Sequence, residues 1–255
     1  MARLARIVVP GLPHHVTQRG NRREAIFFED GDHEVYLDLL AEQSLKVGVA
    51  VWAYCRMPNH VHLILKPGHA DDLGRAVGEA HRRSTNFINT RGRWTGHLFQ
   101  SRFASVVLDD LRLIRAVRYV SLNPVRARLV ARPEDWKWSS VRAHLAGVDD
   151  ALVTVQPVLD RVPHLKPLLL QGNAEEDFSD LRRAESTGRH LGAPEFVISL
   201  ESLLGRKMAR RAPGRKPETQ IAAEQLELLC IGIMSPYFPG NLRSSHPATF
   251  LSLLL

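Results

Sequence analysis

The chain has 255 residues, 44% of them hydrophobic, with a formal net charge of +7 and a pI near 9.8. That is enough apolar matter for one large domain or a domain with an appendage, and the basic balance points to a polyanionic partner, most simply nucleic acid. No apolar run is long enough to span a membrane, the N-terminus lacks the apolar stretch of a secretory signal, and Cys55 and Cys230 make no metal or redox spacing, so a cytoplasmic protein with no membrane partner is expected.

His15 to Gln18 reads as a short first strand, opened by Pro10-Gly11-Leu12-Pro13 and closed by Gly20-Asn21. From about Gly31 to Val47, Val35, Leu39, Leu40 and Leu45 recur at roughly helical spacing. Val49–Met57 and His60–Lys66 are rich in β-branched, aromatic and aliphatic residues and read as two strands joined tightly by Pro58-Asn59. A second helix is expected over Asp71–Asn89, with Asp71 and Asp72 suited to its N-terminal dipole. Phe103–Leu108 reads as a fourth strand, and Asp110 to about Asn123 as a third helix, ended by Pro124. The order strand, helix, strand, strand, helix, strand predicts an α+β fold: a ferredoxin-like split βαβ core on an antiparallel sheet. There is no internal repeat.

Beyond Trp136 and Trp138 the signals weaken. Residues 146–204 read as a partly helical extension, with patches separated by Pro157, Pro163, Pro167 and Pro194. Residues 205–255 read as an arm and tail: Gly205–Pro217 is basic, with no acidic residue, as expected of a flexible DNA-seeking segment, and a short amphipathic stretch follows at Ile221–Ile233. Residues 1–145 are left as the main folded domain.

The chemistry concentrates in two places. In Met57-Pro58-Asn59-His60-Val61-His62-Leu63, His60 and His62 are two apart on a strand and share a face, which makes half of a metal site. Taken alone, the pair reads more readily as two surface histidines near a hairpin. On the third helix, Tyr119 and Asn123 are four apart and share a face distinct from most of the stripe of Leu113, Val117 and Val120. Taken alone, they read as a core-edge tyrosine and a helix stop. Phe99, Phe103, Trp136 and Trp138 read as core closures rather than base-stacking platforms.

Three stretches in this order, Pro10 to Arg22, Met57 to Leu63 and Arg118 to Ala127, resemble the single-tyrosine HUH transposases, and among them the bacterial REP-associated tyrosine transposases. The resemblance covers residues 1–145 and does not extend beyond Glu218. It implies an HUH-endonuclease-type core in which His60 and His62 hold a divalent metal, Mg2+ or Mn2+, and Asn123 stands where relatives place a further polar ligand. It implies that Tyr119 attacks the scissile phosphate, forming a 5′-phosphotyrosine and freeing a 3′-hydroxyl, on single-stranded DNA that carries a hairpin. The expected DNA contacts are Arg19, Arg22 and Arg23 after the first strand, Arg82 and Arg83 on the second helix, and Arg126. A monomer or a homodimer, associated with the nucleoid, fits this branch. Two other readings stay open: a domesticated hairpin-binding protein that no longer cuts, and a metallohydrolase with a water nucleophile, which needs further Asp or His ligands.

Overall fold

The antiparallel sheet runs β2-β3-β1-β4, the order that two interleaved βαβ units produce when each helix crosses to the same side. The strands are β1 (His14–Arg19), β2 (Ala50–Met57), β3 (His60–Lys66) and β4 (Ala104–Val107). Helix α1 (Asp30–Val47) joins β1 to β2, and α2 (Asp72–Gly92) joins β3 to β4. After β4 come α3 (Asp110–Arg126), α4 (Val141–Ala146), α5 (Gln156–Leu159), α6 (Leu165–Leu170) and α7 (Pro194–Leu204). This computed structural model describes residues 7–170, 178–179, 181–183 and 193–205. The basic stretch after Gly205, the amphipathic stretch at 221–233 and the apolar tail lie outside the described residues.

Local chemistry accounts for the element ends. At the start of α1, the Asp32 side chain accepts from the backbone N–H of Phe28 and Glu29, at 2.7 and 3.2 Å, and Gly48 ends the helix with φ 74°, a left-handed value that costs glycine little. At the start of α3, the Asp109 side chain accepts from the Arg112 N–H at 2.8 Å. The third helix does not stop at Pro124 but runs to Arg126. In the last turn a proline removes one hydrogen bond only, and the chain re-pairs at once: the Ala127 N–H donates to the Asn123 carbonyl and the Leu129 N–H to the Pro124 carbonyl, both at 2.9 Å.

The sheet buries both faces. Val61, Leu63 and Leu65 of β3 join Val16, Tyr36, Leu40, Leu73 and Val77 in a core under α1 and α2. Ile64 joins Cys55, Met57, Leu113, Val117 and Val120 in a second core under α3. A bulge in β2 between Val51 and Ala53 places Trp52 and Ala53 both on the α3 side, the extra residue restoring alternation from Tyr54 onward. Phe99 and Phe103 are buried in the first core, as their positions in the sequence suggest. Segments after residue 145 supply Val153 and Val155 to the first core and Val158, Leu165, Leu169 and Phe178 to the second. The exposed edge of β2 is covered by backbone bonds from the Ser140 and Thr154 N–H groups to the Tyr54 and Val51 carbonyls, which removes an open pairing edge.

Candidate active site

Strand register builds the site. His60 lies opposite Arg19, and His62 opposite Thr17, across the β1–β3 ladder. Directly paired residues share a face, so His15, Thr17 and Arg19 of β1 stand beside His60 and His62 on the side that α3 covers. The imidazole centroids of His60 and His62 are 4.9 Å apart. Tyr119 comes down from α3 edge-on, with its ring centroid 5.3 Å from that of His62 and 5.9 Å from that of His15. A cavity of about 570 Å³ opens here, lined by His60, His62, Tyr119, Arg19, Arg23 and Arg102, with Arg182 at its wall.

Hydrogen bonds orient the histidines. Asn59 Nδ2 donates to the Arg23 carbonyl at 2.9 Å, so its Oδ1 is the atom facing His60 Nδ1, at 2.6 Å. An amide oxygen can only accept; His60 therefore carries its proton on Nδ1 and its lone pair on Nε2. His62 Nδ1 is engaged with His15 Nε2 at 3.1 Å. Burial pushes His15 down to about 3; burial, then the charge of Arg19, pushes His60 down to about 4. His62 is held well below 6.5, first by burial and then by His60, His15 and the nearby arginines. The imidazoles are thus neutral at neutral pH, the form that ligates a metal. Among the described residues, no three His, Cys, Asp or Glu side chains gather as a metal-holding group. Two neutral imidazoles beside an open cavity still fit a divalent ion whose other positions are filled by phosphate oxygens and water, Mn2+ more readily than Mg2+.

Tyr119 is buried, 5% exposed. The Arg126 guanidinium lies over its ring at 4.9 Å from the centroid and over Phe178 at 5.1 Å, while Phe178 packs against the tyrosine at 5.2 Å. Arg118 faces away from the cavity, donating from Nε to the Leu168 carbonyl at 3.0 Å. Asn123, buried one turn beyond Tyr119, is not among the residues lining the cavity.

The basic residues separate into three groups. Arg19 and Arg23 line the cavity, and Arg22 shares the turn Asn21–Arg23 with φ 52°, Arg23 having φ 65°. Arg82 and Arg83 sit on α2, away from His60 and Tyr119, bound to carboxylates: Arg82 to Glu79 at 2.7 Å and Arg83 to Glu42 at 2.7 Å. Arg126 belongs to the tyrosine. His14 serves the chain turn: it accepts from the Val9 N–H at 3.1 Å and its other nitrogen meets the Leu12 carbonyl at 2.8 Å.

Sequence reasoning missed His15 as the partner of His62, Asn59 as the partner of His60, and Arg102 and Arg182 as cavity residues. Asn59 could have been found, since it adjoins His60. His15 required the β1–β3 register, and Arg182 required the fold of a distant segment.

Residues 8–123 match the family model of IS200-like transposases. A structure of the REP-associated tyrosine transposase bound to a REP hairpin superposes with a TM-score of 0.50 at 21% identity, covering 60% of this chain and 92% of that one. A transposase homologue from Deinococcus radiodurans R1 covers 47% of this chain and 95% of its own, at 20% identity and a TM-score of 0.34. No curated protein matches the chain. Residues 8–123, which carry His60 and His62 on β3 and Tyr119 on α3, are thus similar to the IS200-like transposases.

Proposed function

We propose that the protein cleaves and rejoins single-stranded DNA beside hairpin-forming repeats, with Tyr119 as nucleophile and a 5′-phosphotyrosine as the intermediate. The observation that carries this reading is the placement of Tyr119 edge-on to His62, 5.3 Å between centroids, in one cavity with His60 and the cationic side chains Arg19, Arg23 and Arg102. An aromatic nucleophile, neutral imidazoles and a cationic wall are the parts that phosphoryl transfer on DNA requires.

In this reading His60 and His62 would hold a divalent metal, which would supply Lewis-acid polarisation of the scissile phosphate. Asn59 and His15 keep the two imidazoles in their ligating orientation. Arg19 and Arg23 draw the phosphate into the cavity and Arg22 extends that grip along the strand. Arg126 places a positive charge against Tyr119, where it offsets the charge of the phenolate oxygen that attacks. The Tyr119 phenol gives up its proton and its oxygen bonds phosphorus as the P–O3′ bond breaks; the departing 3′ oxygen takes up a proton, and the 3′-hydroxyl so freed can later attack the same link. Asn123 supports the end of α3 in this scheme. The basic stretch after Gly205 adds sequence-independent affinity for phosphate.

The test is a covalent-adduct assay with labelled hairpin oligonucleotides and Mn2+ or Mg2+. A band that survives denaturation, and is lost in Tyr119→Phe and in chelator, is expected. Tight hairpin binding across a broad oligonucleotide pool with no adduct would overturn strand transfer in favour of a hairpin-binding protein. No helix among the described residues is long and apolar enough to cross a membrane.

A further inference from the structure

The helix that carries Tyr119 is met by a segment far beyond residue 123, where the match to the transposase family model ends. Residues 178–179 and 181–183 have helical backbone. Phe178 and Leu181 are buried and belong to the second core, under α3. Phe178 lies 5.2 Å from Tyr119, ring centroid to ring centroid. Two guanidinium groups of α3 also stand over the Phe178 ring, Arg126 at 5.1 Å and Arg118 at 5.5 Å. Tyr119, Phe178 and Arg126 therefore form one cluster. Residues four apart on a helix share a face. Arg182, one turn after Phe178, is thus carried to the catalytic cavity, whose wall it joins with Tyr119, His60 and His62. Its neighbour Arg183 is exposed and is not part of that wall.

The cavity is cationic throughout. Among the described residues that line it are Arg19, Arg23, Arg102 and Arg182, and no carboxylate. Arg19 lies opposite His60 in the β1–β3 ladder, and Arg23 follows in the next turn. Both reach the cavity from the side of the histidine pair. Arg102 comes from the loop that precedes β4. Arg182 is delivered by the segment that packs on the nucleophile. A phosphodiester presents two nonbridging oxygens, and a planar guanidinium can meet both with paired N–H donors.

We infer that Arg182 is a catalytic residue of strand transfer: it binds the nonbridging oxygens of the scissile phosphate as Tyr119 attacks, so the segment around Arg182 completes an active site that residues 8–123 do not complete by themselves. This role rests on the strand-transfer reading, which it deepens. In the step, the Tyr119 oxygen loses its proton and bonds phosphorus, the P–O3′ bond breaks, and the 3′ oxygen takes up a proton. Arg182 forms no covalent bond and exchanges no proton. Its contact tightens as phosphorus passes through its five-bonded geometry, so it acts on rate more than on affinity.

The test uses the full chain and follows adduct formation in a single turnover, with labelled hairpin oligonucleotide and Mn2+. Hairpin affinity in chelator and melting temperature are measured beside it. Arg182→Ala should form the adduct about 10²- to 10³-fold more slowly, with hairpin affinity and melting temperature little changed. Arg182→Lys should recover part of the rate, since an ammonium supplies the charge without the planar pair of donors. Millimolar guanidinium should speed Arg182→Ala, and an equal concentration of sodium should not; loss of a merely structural contact would show no such rescue. Arg183→Ala should keep the wild-type rate. Four results would overturn the inference and leave strand transfer in place: a wild-type rate in Arg182→Ala, a faster rate there, an equal loss in Arg183→Ala, or a rate loss that neither lysine nor guanidinium relieves. A faster rate would make the segment an obstruction of Tyr119. A wild type that forms no adduct removes strand transfer, and a catalytic Arg182 with it.

Discussion

Asn59 sets the tautomer of His60. Because the Asn59 amide nitrogen is committed to the Arg23 carbonyl at 2.9 Å, its oxygen must face His60 Nδ1 at 2.6 Å, and the lone pair is left on Nε2. The turn that carries Arg22 and Arg23 is thereby tied to the histidine that faces the cavity. Asn59→Ala should lower Mn2+ affinity about 10- to 100-fold, read by calorimetric titration, and should let the His60 ring sample the other tautomer, read from its nitrogen chemical shifts. Asn59→Asp retains the acceptor and should retain the tautomer. Equal Mn2+ affinity in the alanine variant would show that His60 needs no such partner.

Arg126 and Arg23 should fail differently. The Arg126 guanidinium is stacked 4.9 Å from the Tyr119 ring centroid, whereas Arg23 lines the cavity. Arg126→Ala should slow adduct formation by about 10² while hairpin affinity changes little, consistent with loss of a charge acting on the transition state. Arg23→Ala should weaken binding for every sequence and reduce the salt slope by about 1. A matching loss of affinity and salt slope in Arg126→Ala would return that residue to phosphate binding.

Gly20→Ala should be among the most damaging single-methyl changes. A Cβ there would stand 2.2 Å from the Glu24 carbonyl oxygen and 2.8 Å from Ile26 Cγ2, and the first of these is backbone that cannot step aside alone. The expected cost is about 1–3 kcal/mol of stability, read by urea unfolding, together with loss of hairpin binding as the Arg22–Arg23 turn is displaced. Wild-type stability in this variant would mean that the turn yields freely.

Acid should unfold the protein early. Burial lowers His15 and His81 from the ordinary 6.5 to about 3, and lowers His33 to about 4, with Arg56 adding to the effect. Above pH 6.5 both the folded and unfolded chains hold these groups neutral, and stability is full. As pH falls below 6.5 the unfolded chain takes up protons that the folded chain refuses, so stability drops until the folded values are reached, by at most about 1.4 kcal/mol per pH unit for each group. Urea midpoints should therefore fall steadily from pH 6.5 to pH 4. His81→Phe should flatten that slope, at a cost near neutrality of about 1–3 kcal/mol because the Tyr36 hydroxyl, 2.9 Å from His81 Nε2, loses its partner. An unchanged slope would show that His81 does not contribute to it.

Much of the fold was legible because its signals are local. Strand β3 was readable residue for residue from its run of β-branched and aliphatic side chains, and the two-residue spacing of His60 and His62 already implied one shared face. The helices were readable from apolar spacing and, for α2, from Asp71 and Asp72 at its start. The error at Pro124 is also local in origin: proline forbids a hydrogen bond at its own nitrogen, but within the last turn the following carbonyls and N–H groups can still pair, so the helix continues to Arg126.

The sequence by itself determined the identities and the spacing: a histidine pair on a strand, a tyrosine on a helix, an excess of arginine. Which of those residues meet was decided by the tertiary structure. The register of β1 against β3 brings His15 onto His62 across 47 positions of sequence, and packing over the second core carries Phe178 and Arg126 onto Tyr119. Arg82 and Arg83, by contrast, are drawn to Glu79 and Glu42 on the helical layer, on the side of the sheet away from the tyrosine. Pairing between distant segments depends on strand register and on shape complementarity of whole faces, and neither quantity is a property of any short stretch of chain.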